Sequence, residues 1–144
     1  MSAMSDYLEN KLVDHIFRGT SFTAPTNTYI ALYTAAPSDT GGGTEVTGGS
    51  YARVTMSAAG ATWTNTQSSG TGVSSGTGGV ISNVAAITFP APSASWGVVT
   101  HFAVYDAATV GNELFWGVLT ASKTVNNGDP APNFAIGALT VTLA

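Results

Sequence analysis

The sequence predicts a mainly β protein: an antiparallel β-sandwich or jelly-roll-like domain of about seven or eight strands, with one amphipathic α-helix at the N-terminus. Three observations carry this. From residue 28 onward apolar side chains alternate with polar ones, threonine and valine are preferred, and clusters of Gly, Pro, Asn and Asp interrupt the pattern at short intervals. Only the segment before Gly19 has a helical period.

Asp6, Glu9, Lys11, Asp14 and Arg18 crowd into residues 6–18, where Tyr7, Leu8, Leu12, Val13, Ile16 and Phe17 collect on one side of a helix. Asp6 is placed as the N-cap with Glu9 three residues later, and Gly19 supplies the stop. Strands are expected at 28–34 (TYIALYT), 51–57 (YARVTMS), 61–64 (ATWT), 81–89 (ISNVAAITF), 97–105 (GVVTHFAVY), 113–120 (ELFWGVLT) and 134–143 (FAIGALTVTL). In 97–105 both alternating sets are apolar, with Val98, Phe102 and Val104 on one side and Val99, Ala103 and Tyr105 on the other. That strand is expected at the centre of a sheet. Leu139, Val141 and Leu143 alternate with Thr140 and Thr142, the pattern of one buried and one polar face nearer an edge. The Gly/Ser/Thr-rich stretches 38–50 and 65–79 are expected to be mobile loops. The resulting division is an N-terminal helix over 1–19 and a single β-sandwich domain over 20–144.

Composition narrows the functional classes. Charged residues make up 8% of the 144, and the net charge is −4 with no basic run to neutralise phosphates, so nucleic acid is a poor partner. There is no cysteine, which removes disulfides, thiolate metal sites and a Cys nucleophile. No apolar run approaches the roughly 18 residues of a membrane span, and residues 1–10 lack a cationic stretch followed by an apolar one. Neither membrane spanning nor conventional secretion is expected.

Each motif that could carry chemistry has a simpler reading. Gly72-Val73-Ser74-Ser75-Gly76 matches the G-x-S-x-G nucleophile elbow, but His101 precedes Asp106 and no histidine follows a downstream acid. His15 and His101 have no second ligand at metal spacing. Asp106 and Glu113 flank a hairpin connection and could in principle act as an acid and base on a glycan, although a turn-starting Asp and a solubilising Glu at a strand start account for them better. Asp39 and Glu45, or Asp129 with Asn126 and Asn127, could offer oxygen ligands to calcium, with no EF-hand spacing to support it. No phosphate loop or dinucleotide fingerprint is present, so no catalytic residue, metal or cofactor is assigned. Among the aromatics, Trp96, after Pro90, Pro92 and Ser95, is the best candidate for an exposed contact. The helix could close one end of the sandwich or dock on a partner through Leu8, Leu12 and Ile16.

The segments LENKLVDHIFRG, YIALYTAAPSDTGGGTEVTGGSYARV, ISNVAAITFPAPSASWGVVTHFAVYDA and GALTVTL resemble a family of small structural proteins of tailed bacteriophages, often labelled tail-fibre proteins and similar to head decoration or cement proteins. The likeness covers nearly the whole chain and transfers no catalytic residue. It implies a non-enzymatic virion protein assembled in the host cytoplasm, expected first as a head decoration or cement protein that binds the major capsid protein and stabilises the shell. The alternative is a tail-fibre or tail-tip component contributing to host adsorption. A homo-oligomer, a trimer on the resemblance alone, is expected in contact with the major capsid protein or other virion proteins. A nearly uncharged surface suits many copies standing side by side, since it limits mutual repulsion.

Overall fold

The structure is a computed structural model and describes residues 2–58, 62–67, 72–75 and 78–143. It begins with a short strand that no periodicity announced, β1 (Ser2–Met4), followed by α1 (Asp6–Phe17). Ser5, not Asp6, caps the helix, because its side chain accepts from Leu8 N while Asp6 and Glu9 occupy the first turn, where negative charge is favoured. Gly19, at φ +68°, turns the chain so that Thr20 N reaches Asp14 O at 3.1 Å, and Phe22 N donates to His15 Nδ1 at 3.3 Å. The helix thus stops where glycine was expected to stop it.

Thereafter every regular element of the described chain is a strand: β2 (Asn27–Ala35), β3 (Thr44–Glu45), β4 (Val54–Ser57), β5 (Val80–Ser82), β6 (Ile87–Thr88), β7 (Gly97–Tyr105), β8 (Glu113–Val125), β9 (Asn133–Phe134) and β10 (Thr140–Thr142). The main sheet runs β1-β8-β7-β2-β3, with β4 also on β2, and every pairing is antiparallel. β7 is central, as its two apolar faces predict. β3 and β4 share one edge of β2 end to end. In the step between them Leu32 N donates instead to the Tyr51 hydroxyl at 2.9 Å, so the ladder loses no partner.

Two small sheets, β10-β5 and β6-β9, form the second layer, whose side chains close one core with the main sheet. Ile30, Leu32, Val99, Phe102 and Val104 face Ile87, Phe89, Leu139 and Val141 there, and all are buried. An aromatic chain runs through it. Trp96 meets Tyr51 edge-on at 5.3 Å, Tyr51 stacks with Phe89 at 6.2 Å, and Phe89 and Phe102 each meet Phe134 edge-on.

The stretches read as single strands at 81–89 and 134–143 are each broken into two. Asn83 makes the break, being fully buried while its Nδ2 donates to Ala85 O and Ala135 O and its Oδ1 accepts from Leu139 N. One amide side chain thereby ties both broken segments together. Trp63 forms only an isolated bridge with Asn83, and Ala61 of the expected 61–64 strand lies outside the described residues. The segment 38–50, expected to be a loop, carries β3 and is bonded at both ends, by Ser38 to Gly41 and by Gly49 to Trp96. Residues 68–71 and 76–77 of the second glycine-rich stretch lie outside the described residues.

The alternation within β7 differs from its expected phase. A register shift between Val99 and His101, where Val99 pairs with Lys123 but His101 with Val118, inverts the pattern. Val99 therefore joins Phe102 and Val104 in the core, Val98 is exposed, and His101 shares a face with Ala103 and Tyr105.

Candidate interaction site

Among the described residues no layer of strands covers the second face of the main sheet, and a cluster of tyrosine and charged side chains lies there. Ala31 and Ala103 leave room for Tyr33 and Tyr105, which are buried with their hydroxyls 2.6 Å apart. Tyr105 donates in turn to Glu113 Oε2 at 3.1 Å. The guanidinium of Arg53 lies 3.6 Å from the centre of the Tyr105 ring and forks onto both oxygens of Glu45 at 2.8 Å each. Its remaining donors reach Ala107 O at 2.9 Å and Val110 O at 2.8 Å. Val110, a β-branched residue at φ 56°, is thus held in a strained conformation by the bond to Arg53. Burial opposes the charge on Arg53, but the hydrogen bonds and charge of Glu45 outweigh it and raise its pKa.

Glu113 was read as a solubilising residue. It is instead 6% exposed, because the shift in pairing after Val104 sets it opposite Tyr105 and turns its side chain inward. Oε1 has no hydrogen-bond partner among the described residues. Burial, reinforced by nearby Asp39 and only partly offset by the Tyr105 hydroxyl and Arg53, pushes its pKa from 4.5 up to about 7. A carboxyl raised in the folded state contributes stability that is complete below the unfolded pKa and is lost as pH rises through the folded one. Urea midpoints should therefore fall between pH 5 and 8 by an amount worth roughly 2–3 kcal/mol, and Glu113→Gln should abolish that fall. An unchanged slope in the variant would remove Glu113 as its source.

Beside this cluster the first turn of α1, the 39–42 segment and the 111–113 segment enclose a cavity of about 470 Å³. Asp6, Asp39 and Glu113 line it, with Tyr7, Tyr105 and Asn112. Backbone bonds fix the frame: Asp6 N donates to Asp39 O at 2.8 Å and Ser5 N to Leu114 O at 3.0 Å. Asp39 Oδ1 accepts from Trp116 Nε1 at 3.0 Å.

The residues expected to contact partners divide. Trp96 is buried, with Nε1 donating to Gly49 O at 2.9 Å, and cannot form an exposed contact. Gly49 permits this approach, since at φ +53° a Cβ there would stand 2.9 Å from Trp96 Nε1. Leu8 is also buried, anchoring the first turn of α1 on the sheet. Leu12 is half-buried, and Ile16 projects into solvent at 66% exposure beside Val13 and Phe17. Only the beginning of the helix packs on its own sandwich.

The other sequence candidates serve local structure. Asp106 accepts from both the backbone and side-chain nitrogens of Asn112, closing its turn, and Asp129 accepts from Asn126 N. Glu45 is spent on Arg53. Ser74 Oγ accepts from Thr66 N, and Gly76 of the G-x-S-x-G match lies outside the described residues. Among the described residues no three His, Asp or Glu converge as metal ligands, and no helix is long and apolar enough to cross a membrane. The Arg53, Glu45 and Tyr105 cluster escaped sequence reasoning because its members come from three separate strand regions. The one signal was an arginine inside an apolar strand, at YARVTMS.

A family profile described as Podophage GP4 fiber I protein gp80 matches residues 3–142. The chain belongs to this family. Membership in the gp80 fibre family makes the protein a structural component of a phage virion, as the quoted segments implied. No curated protein matches the chain in sequence. Within the gp80 match fall α1, all the strands from β2 onward, the buried polar cluster and the cavity beside it.

Proposed function

We propose that this chain is a non-enzymatic component of a phage tail fibre and that it joins other virion proteins through the outer face of α1. The observation that carries this reading is the fibre-family match over residues 3–142. It favours the tail alternative over the head-decoration role that the sequence first suggested. The proposed contact is Leu12 and Ile16, extended by Val13 and Phe17, because these apolar residues remain uncovered or half covered on a helix whose first turn is anchored. Leu8 and Trp96 are not part of it.

Immunogold labelling of intact particles tests the location. Gold confined to the tail, at a handful or a dozen copies, is the expected result, whereas label over the shell would replace it with a decoration protein bound to the major capsid protein. The contact is tested by Ile16→Glu with Phe17→Glu. Both side chains are exposed, so the stability of the purified chain should change by no more than about 0.5 kcal/mol. Incorporation into particles should fall sharply. Normal incorporation of a well-folded double variant would exclude the helix face.

A further inference from the structure

Resting on the α1 contact proposed above, we infer that its partner is a second copy of this chain, whose apolar pocket at the far end of the sandwich receives Phe17 and Ile16.

The pocket originates in an irregular strand pairing. Val99 pairs with Lys123 but His101 with Val118, so residues 119–122 of β8 stand opposite Thr100 alone and cannot stay in the ladder. Across from them the second layer is divided into two separate sheets, β10-β5 and β6-β9. Between residues 118–123 and the segments 132–134 and 138–140 lies a cavity of about 320 Å³. Its floor is the core itself, formed by Leu32, Phe89, Val99, Phe102 and Leu139. An apolar cavity of about 150 Å³ is enough to take up benzene. This one therefore has room for a phenylalanyl ring with an aliphatic side chain beside it.

The group to fill it is at the other end of the molecule. Phe17 is 79% exposed and Ile16 is its neighbour in the last turn of α1, so two large apolar side chains stand together in water. They do not reach the pocket of their own chain. Ser5 N bonds to Leu114 O, and residues 18–26 lead from α1 into β2, whose Tyr29 lies opposite Tyr105 and hence beside Glu113. The pocket is at the opposite end of that sheet, where Val99 meets Lys123. A projection at one end and a recess at the other make a head-to-tail contact between copies, which closes as a ring or continues as a filament.

Charge fits the same pairing. Lys123 is the one charged residue in the lining, and no carboxylate of the described residues pairs with it. On the helix, no backbone N–H of the described residues donates to the carbonyls of His15, Ile16 or Phe17, so the negative end of the helix dipole is open beside the two apolar side chains. An ammonium is a suitable partner for such carbonyls. Asp6, Glu9 and Asp14 against Lys11 and Arg18 also leave the helix net negative. With 8% charged residues, repulsion between whole copies is small.

Sedimentation velocity of the purified whole chain, from about 10 μM to about 1 mM, tests this with two kinds of variant. Ile16→Glu with Phe17→Glu removes the projection. Ala138→Trp, at an exposed position of the pocket lining, fills the recess, while Lys123→Glu, also exposed, reverses its charge and serves if the tryptophan disturbs the fold. Reversible association of the unaltered chain is expected, weakened at least about tenfold by either kind of variant alone. Mixing the helix variant with a pocket variant should restore a complex of one copy of each, because each keeps the half that the other lacks. A contact between two helices would give no such rescue. An unaltered chain that stays monomeric throughout, association indifferent to both pocket variants, or a mixture without complex would each overturn the assignment. A monomeric chain whose incorporation into particles still requires Ile16 and Phe17 would sink self-association while sparing the proposed α1 contact.

Discussion

Trp96→Ala is expected to destabilise the protein by about 3–5 kcal/mol, a large part of the roughly 5–15 kcal/mol that holds a typical domain together. The effect has three sources. The indole is 4% exposed, so its removal opens a cavity where Tyr51 and Val125 cannot both collapse inward. The edge-on contact with Tyr51 at 5.3 Å is lost. Gly49 O, which accepts from Nε1 at 2.9 Å and from Ser93 N at 3.0 Å, loses one of its two donors, and with it the bond that joins the 48–51 turn directly to Trp96. Urea unfolding followed by circular dichroism measures this, with Trp96→Phe as the comparison that keeps one ring while removing the hydrogen bond and part of the buried volume. A loss below about 1 kcal/mol for the alanine variant would mean that Trp96 is a surface residue, since exposed positions rarely exceed that range.

Arg53→Ala should cost about 3–5 kcal/mol, by a different mechanism. The side chain of Arg53 is 7% exposed and that of Glu45 24%, so deleting the cation strands a partly buried carboxylate together with Ala107 O and Val110 O. Its loss also frees Val110, whose positive φ the guanidinium helps to impose. Because the penalty is mostly that of the abandoned partner, Arg53→Met combined with Glu45→Gln should recover a substantial part of it. The double-mutant cycle provides the check. Additive losses across the cycle would show that Arg53 acts through packing alone.

These two residues illustrate what the sequence could and could not disclose. The helix, its glycine stop and the central position of the 97–105 strand were legible because each depends on local periodicity or on one residue's backbone freedom. The alternating end of the chain was legible in part: Leu139 and Val141 point inward while Leu143 is exposed. What escaped depends on pairing between distant segments. A Trp after Pro90, Pro92 and Ser95 looks exposed, and only the arrival of Gly49 and Tyr51 from another edge buries it. The slip near Val99 reverses the faces of half of β7, and period-2 patterns cannot reveal where one partner strand carries extra residues. Glu113 looked like any strand-start acid until that geometry placed it under Tyr105. Arg53 and Glu45 are eight residues apart, yet what makes them matter is the tyrosine pair delivered by β2 and β7.

The meeting of Ser2 with Thr142 has a kinetic meaning. The Ser2 hydroxyl accepts from Thr142 N at 2.8 Å, and β1 forms the outer rung beside β8, so groups 140 positions apart in the chain must find one another. Closing so long a segment is entropically costly and is rewarded only once the intervening ladders exist. Acquisition of the native state should accordingly be slow, on the milliseconds-to-seconds scale of nonlocal β topologies, with the outermost rung the last to zip.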